Sequence, residues 1–149
     1  MDGISMFCDD TRDSIKGSVF IAAEGGYVNG KERLSAGILS ATDGWLDGKG
    51  AYEPRNASQL IPYVSAHDNY TLWDKLKLSD PKRKEDAEPD FDKMDERTLS
   101  MNRLAAGIVM TCQGNAGFSR RVRNLRARSM AKETASNRRG SSTKLTGHA

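Results

Sequence analysis

Short apolar runs and helical spacings follow one another along the first part of the chain. The apolar centre of residues 3–10, "GISMFCDD", predicts a buried strand that feeds a loop, and residues 60–66, "LIPYVSA", predict a second strand. Residues 11–20 predict one or two helical turns closed by Gly17. Strands that alternate with helices are typical of (β/α) units, in which the chemistry lies at the carboxyl ends of the strands.

Three segments have the spacing of a helix with one buried face. Residues 31–41 form the first, residues 69–79 the second, and residues 95–114 the third and longest. The third helix is expected to close at Gly114. The large apolar side chains expected to face inward are Leu34, Ile38 and Leu39, then Leu72, Trp73 and Leu76, then Leu99, Leu104, Ile108 and Val109.

Length and composition indicate how many domains the protein has and in which cellular compartment it is expected. Its 149 residues suffice for one domain, but a hydrophobic content of 37% is low for a compact enzyme. No apolar run approaches the roughly 18 residues that span a bilayer, and the N-terminus lacks the pattern of a secretory signal. A cytoplasmic protein without membrane contact is therefore expected. Cys8 and Cys112 belong to no metal-ligand spacing, which favours buried free thiols and predicts neither a disulfide nor a metal site.

The net charge of +3 conceals two parts of opposite charge. Residues 115–149 hold nine Lys and Arg residues and one acidic residue, whereas residues 1–114 hold 14 basic and 19 acidic residues. The basic part has few large apolar residues and no regular spacing, so it predicts a disordered tail. An alternative is that the tail binds the phosphates of nucleic acid. It offers only Phe118 for stacking on bases, however, which argues against nucleic acid as a partner.

A polar triplet, His67, Asp68 and Asn69, follows the second predicted strand. A carboxylate beside an imidazole at a strand end suits hydrogen bonding to sugar hydroxyls, and such bonds strengthen as the ring distorts toward an oxocarbenium ion. The alternative is structural: Asp68 and Asn69 cap the helix that begins near Tyr70. His67 is then a hydrogen-bonded histidine without a further role. The triplet alone favours the structural interpretation, because His-Asp pairs are common.

The longer stretch around the triplet favours the sugar-binding interpretation instead. Residues 63–76, "YVSAHDNYTLWDKL", closely resemble the fourth signature region of the α-amylase superfamily of glycoside hydrolases, in the form found in type I pullulanases and related glycogen-debranching enzymes. "MFCDDTRDSIKGSVF" is similar to their sixth strand region, and "GYVNG" and "GILSATDGW" are similar to the loop and helix that follow it. "MNRLAAGIVMTCQG" resembles the helix that leads to their eighth strand. The resemblance runs in order from residue 1 to about residue 114.

The resemblance implies a fold, a reaction and a set of site residues. Residues 1–114 would form part of a TIM (β/α)8 barrel, about the sixth and seventh strand units only, and residues 115–149 a separate basic tail. By the same resemblance Asp68 is the catalytic aspartate that stabilises the transition state, and His67 and Asn69 bind the substrate. The implied reaction is retaining hydrolysis of the α-1,6 branch linkages of pullulan, starch or glycogen. The implied partner is an α-glucan, with no cofactor and no metal.

Two catalytic groups of that family are missing from the sequence. Retaining hydrolysis needs a nucleophilic carboxylate and a general acid about 5 to 5.5 Å apart. The family carries them in an Arg-x-Asp segment and a Gly-Glu-Pro-Trp-like segment. Neither Asp13, directly after an arginine, nor Glu53, before a proline, fits those motifs. Because two strands cannot close a barrel, the chain alone is expected neither to fold stably nor to hydrolyse glucan.

The basic tail has a further interpretation that follows from the resemblance. After "TCQG" the family continues with an apolar eighth strand and with Gly-Glu-Glu-Phe and Arg-Thr-Lys segments. The genetic code permits those segments when the tail codons are read in a shifted frame. A frameshift near Gly114 or Asn115 would therefore have replaced the eighth strand with out-of-frame sequence. The alternative to an enzyme fragment is a small non-catalytic binding protein. It would bind glucan, or it would bind nucleic acid through its tail.

Overall fold

A computed structural model describes residues 4–66, 69–83 and 88–115 of the chain. Within these ranges the protein forms two short β-strands and four α-helices, with two 3₁₀ turns at Tyr27–Asn29 and Ala57–Gln59. The elements are, in chain order, β1 Met6–Cys8, α1 Asp9–Lys16, α2 Ser35–Thr42, β2 Leu60–Pro62, α3 Leu72–Leu78 and α4 Glu96–Thr111. None of these helices is both long and apolar enough to cross a membrane.

The two strands pair in parallel, in a register that sets Cys8 opposite Pro62. The connection between them carries α1 and α2, so the described residues form a small α/β unit. β2 ends at Pro62, so the predicted strand over residues 60–66 is wrong beyond that residue. Proline has no N–H to donate to the ladder, which is consistent with the pairing ending there. β1 differs from the prediction in two respects: Met6 and Phe7 are half-exposed, and the strand enters α1 directly instead of a loop.

Gly114 does not close α4, so that prediction is wrong. The helix ends at Thr111 with Cys112 as its C-cap, and the chain then approaches the sheet. The N–H of Asn115 donates to the carbonyl of Leu60 over 2.7 Å, and a Cβ on Gly114 would lie 2.7 Å from the same oxygen. Gly114 also has a φ of 138°, which side chains disfavour. Glycine is therefore required here for the close approach of the chain to the edge of β2.

The core consists of two clusters of buried apolar side chains. The larger lies between α1, α3 and α4, and the smaller lies between the strands and α2. α3 contributes Leu72 and Leu76 to the larger cluster and also buries Trp73, so its predicted face is confirmed. The larger cluster comprises Ile15, Val28, Val64, Leu72, Leu76, Met101, Ala105, Ile108 and Val109. The smaller comprises Cys8, Ala41, Trp45 and Leu60.

Two predicted helix faces are wrong at one leucine each. Leu39 is 70% exposed, because α2 packs on α1 through small residues: a Cβ on Gly37 would lie 2.6 Å from the hydroxyl of Ser14. Leu104 is 47% exposed, because α4 buries instead the stripe that passes through Ala105. In each helix the surface of the packing partner, rather than the spacing of leucines, decides which face turns inward.

Candidate functional site

His67 and Asp68 lie outside the described residues. The described chain resumes at Asn69, which is half-buried and whose side-chain oxygen accepts a hydrogen bond from the N–H of Tyr70 over 2.7 Å. Residues 63–66 connect the end of β2 to the triplet. The candidate site is therefore described through the contacts of the residues on either side of His67 and Asp68.

The N-terminus of α3 is capped by Thr71. Its hydroxyl accepts a hydrogen bond from the N–H of Asp74 over 3.2 Å, and the helix begins at Leu72. Asn69 therefore does not cap this helix, because the cap lies two residues beyond it, and the capping role considered for Asp68 falls outside the described residues.

Four polar side chains, the strand-end cluster, meet at the carboxyl ends of both strands: Asp9, Arg12, Asp13 and Tyr63. Asp9 is the first residue after β1 and Tyr63 the first after β2, so the parallel register brings them together. The hydroxyl of Tyr63 donates to Oδ1 of Asp9 over 2.6 Å and accepts from Nη1 of Arg12 over 2.7 Å. Arg12 also lies 3.1 Å from Asp9 and donates to Asp13 from two nitrogens, at 2.6 and 3.1 Å.

The aromatic ring of Tyr63 is held as well as its hydroxyl. Phe7 packs against it edge-on, with the ring centroids 5.2 Å apart and an interplanar angle of 69°. The guanidinium carbon of Arg12 lies 5.6 Å from the centroid of the same ring. Tyr63 and Arg12 are both buried. The first residue of the segment that leads to the triplet is thus anchored to β1 and α1.

Two groups of the cluster, Tyr63 and Arg12, have shifted pKa values. Burial and the hydrogen bond to Asp9 raise the pKa of Tyr63 well above its ordinary value. Burial alone would lower the pKa of Arg12, but the hydrogen bond and charge of Asp13 outweigh it and raise that pKa. Tyr63 therefore remains a neutral donor and Arg12 a cation. The arrangement suits a positioning role rather than proton transfer.

The remaining candidate chemistry in the described residues is limited. Asp13 is committed to its ion pair with Arg12, and Glu53 is exposed in the loop between α2 and β2. Cys8 and Cys112 are free thiols, as predicted, and burial raises the pKa of both, that of Cys112 to about 11. Among the described residues, no group of three or more His, Cys, Asp or Glu side chains is placed to hold a metal ion.

Tyr63→Phe is expected to lower the free energy of unfolding by about 1–3 kcal/mol. The substitution keeps the ring but removes the hydroxyl, which leaves the buried Arg12 guanidinium with one hydrogen bond fewer. Urea unfolding in a stabilising osmolyte, followed by circular dichroism, measures the loss. Tyr52→Phe is the matched control, because Tyr52 is 41% exposed and its substitution should change the free energy by less than about 0.5 kcal/mol. Equal effects of the two substitutions would contradict the anchoring role of Tyr63.

The strand-end cluster was missed by sequence reasoning. Its members are separated by up to 54 positions along the chain, and only the strand register brings them together. One signal was present: Asp9 and Tyr63 each stand directly after a short apolar run. In parallel strands such positions lie at a common edge.

Most of the chain is similar to one group of known enzymes. The pullulanase of Bacillus subtilis strain 168 is 34% identical in an alignment of 119 residues, which covers 76% of this chain and 15% of that protein. The structure of pullulanase from Paenibacillus barengoltzii in complex with maltohexaose and α-cyclodextrin matches 76% of this chain and 16% of its own, with 36% identity and a TM-score of 0.62. Type I pullulanase from B. subtilis in complex with maltose matches 76% of this chain and 15% of its own, with 33% identity and a TM-score of 0.62. No protein-family model matches the chain.

Proposed function

The chain is a pullulanase-type fragment, and we propose that it belongs to a debranching glycoside hydrolase and carries one side of an α-glucan subsite. In this proposal Asp68 stabilises the positive charge of the oxocarbenium-like transition state, while His67 and Asn69 hydrogen-bond the sugar. The observation that carries the proposal is the position of the triplet. In the sequence it begins five residues after Pro62, the last residue of β2, and four residues after Tyr63, which the strand-end cluster anchors.

The proposed ligand is an α-linked glucose oligomer, and the proposed substrates are pullulan, starch or glycogen. The related enzymes were crystallised with maltohexaose, α-cyclodextrin and maltose, which supports an α-glucan as the ligand class. A sugar presents several hydroxyls in fixed directions. A carboxylate, an imidazole and an amide in sequence can accept from and donate to such hydroxyls at once.

The chain alone is not expected to hydrolyse α-1,6 branch linkages, the reaction proposed for the family. β1 and β2 would correspond to the sixth and seventh strands of a TIM (β/α)8 barrel, and the active site of such a barrel draws on several strand ends. A retaining mechanism needs both a nucleophile and a general acid. Because neither motif occurs in the sequence, the chain is proposed to bind glucan without cleaving it.

Residues 115–149 are proposed to be out-of-frame sequence rather than a selected basic tail. Gly114 and Asn115 lie beside β2, where a third parallel strand would continue, and this supports the proposal. Residues 120–128 then contain five arginines, a composition unlike that of a buried strand. These residues lie outside the described part of the chain. The coding DNA provides the test, since codons that exclude Gly-Glu-Glu-Phe and Arg-Thr-Lys in the shifted frame would refute the proposal.

Titration with maltohexaose, followed by nuclear magnetic resonance or calorimetry, tests the glucan site. The full chain is expected to bind it with a millimolar dissociation constant, as suits an incomplete site. Asp68→Asn should weaken binding about ten- to a hundredfold, because a hydrogen bond to a charged group contributes about 1.5–3 kcal/mol. Asp43→Asn is the control, because Asp43 is exposed at the end of α2 and should leave binding unchanged.

Two results would contradict the glucan site. One is the absence of any binding at millimolar maltohexaose, and the other is an equal effect of Asp68→Asn and Asp43→Asn. Salt-sensitive binding of DNA that disappears when residues 115–149 are deleted would favour the nucleic-acid alternative instead.

A further inference from the structure

Residues 18–25 form a loop whose two ends touch, termed the 18–25 loop. It connects α1 to the 3₁₀ turn that begins at Tyr27. A Cβ on Gly17 would lie 2.2 Å from the carbonyl oxygen of Glu24, and a Cβ on Gly26 would lie 2.4 Å from the backbone nitrogen of Gly17. Only glycines allow the two ends to approach so closely, and Gly17 also has a φ of 84°. A compact loop with adjacent ends is an Ω-loop, which can open about those ends.

Most side chains of the 18–25 loop are exposed or half-exposed. Val19 is buried, but Phe20 is 87% exposed and Ile21 is 57% exposed. The N–H of Glu24 donates to the carbonyl of Ile21 over 3.1 Å, so this hydrogen bond joins two residues of the loop itself. Opening the loop therefore uncovers little apolar surface. Segments with few buried apolar contacts open at a lower free energy than the core.

A buried ammonium group on α3 holds the 18–25 loop in place. Lys75 is fully buried, and its Nζ donates to the carbonyls of Ile21 and Ala22, at 2.7 and 3.1 Å. A neutral lysine amine has two hydrogens, one for each of these carbonyls, so both bonds can persist when the charge is lost. Opening the loop would hydrate Lys75, and water solvates the charged form far better than a protein interior does. The closed loop therefore favours the neutral amine, and the open loop favours the ammonium.

The charges around Lys75 do not cancel this preference. Burial is the largest effect and lowers the pKa of Lys75 to about 8; Glu24 in the loop and Asp13 on α1 oppose the shift, whereas Lys31 adds to it. Glu24 also pairs with Lys31 at the surface, where an ion pair contributes little to stability. A change from neutral to mildly alkaline pH therefore removes the charge that closing the loop buries.

We propose that the 18–25 loop is a protonation-sensitive strap, which opens about Gly17 and Gly26 and whose open state is favoured by the charge on Lys75. Opening is most frequent when Lys75 is protonated and becomes rarer as the pH rises. The strap lies against α3, the helix that follows the polar triplet, because Lys75 stands four residues after the N-cap Thr71. The inference does not depend on the glucan site, since it requires no ligand.

Chymotrypsin cleavage after Phe20 measures the opening, because proteolysis of a folded chain follows the population of its open form. The full chain is digested in a stabilising osmolyte, and each rate is divided by that of a free peptide of residues 16–25 at the same pH. Cleavage after Phe20 should slow about tenfold as the pH rises from 8 to about 9.5, because the open loop holds a proton that the closed loop has lost. Cleavage after Trp73, which is buried, should be at least about tenfold slower than cleavage after Phe20.

Lys75→Met should abolish this pH dependence and leave the normalised rate after Phe20 constant within about twofold. Lys82→Met is the matched control, because Lys82 is exposed and should follow the parent chain. Equal slowing in Lys75→Met and in the parent would overturn the proposal. If Lys75→Met does not fold, the parent chain alone decides: a rate after Phe20 that does not change with pH would overturn the proposal. Equal rates after Phe20 and Trp73 would do the same, since the loop would then open only when the whole chain unfolds.

Discussion

Leu76→Ala is expected to lower the free energy of unfolding by about 2–5 kcal/mol, enough to abolish cooperative unfolding in a chain with so small a core. Leu76 is fully buried in the larger cluster, where α3 meets α4. The truncation removes apolar contacts and leaves a cavity that the surrounding side chains fill only in part.

Urea unfolding in a stabilising osmolyte measures this loss, because the osmolyte provides a folded baseline for a marginally stable chain. Leu104→Ala is the matched control. Leu104 is 47% exposed, so its truncation should change the free energy of unfolding by no more than about 0.5–1 kcal/mol. A larger effect of Leu104→Ala than of Leu76→Ala would mean that α4 packs through its predicted leucine face after all.

Lys75 is expected to make the folded chain more stable as the pH rises from about 8 to about 10.5. Its ammonium group is fully buried and donates to the carbonyls of Ile21 and Ala22, at 2.7 and 3.1 Å. Burial lowers the pKa of Lys75 from 10.5 to about 8; the charges of Glu24 and Asp13 oppose this shift and that of Lys31 adds to it.

The direction of the pH dependence follows from the bound protons. Between the folded and unfolded pKa values of Lys75, the unfolded chain holds the proton that the folded chain has lost, so the free energy of unfolding increases with pH. The increase amounts to about 3 kcal/mol over the whole window. The raised pKa of Cys112, about 11, acts in the opposite direction in part of this range. The test is therefore the difference between a Lys75 variant and the parent chain.

Lys75→Met should remove this pH-dependent gain. The free energy of unfolding of the variant relative to the parent should fall as the pH rises from 8 to 10.5, and urea unfolding at a series of pH values measures it. Lys82→Met is the control, because Lys82 is exposed and should follow the parent at every pH. Parallel pH profiles for Lys75→Met and the parent would show that the Lys75 ammonium is not buried in the folded chain.

Local signals in the sequence predicted much of the fold. Gly17 ends α1 with a left-handed backbone, φ 84°, and the spacing of Leu72 and Leu76 identified the buried face of α3. The predictions failed where a contact between elements decided the outcome. Leu39 is exposed because α2 approaches α1 through small residues. Gly114 allows the chain to approach the edge of β2 closely and does not end α4.

The candidate site was predictable only in part, for the same reason. The triplet at residues 67–69 stood out because it follows a recognisable apolar run. The link between Asp9, Arg12 and Tyr63 depends on a parallel register, which no local pattern contains. Asn69 does not cap α3, although asparagine is a favoured N-cap, because Thr71 stands directly before the first apolar residue of that helix and caps it instead.

Release of reducing ends from pullulan by the purified 149-residue chain tests the central claim most directly. That claim is that the chain holds part of a glucan site without the catalytic pair. The measurement is made on chain whose cooperative urea unfolding has been verified, with B. subtilis pullulanase as the positive control. The predicted result is no release above the blank from chain that still binds maltohexaose. Sustained release of reducing ends by the chain alone would contradict the claim.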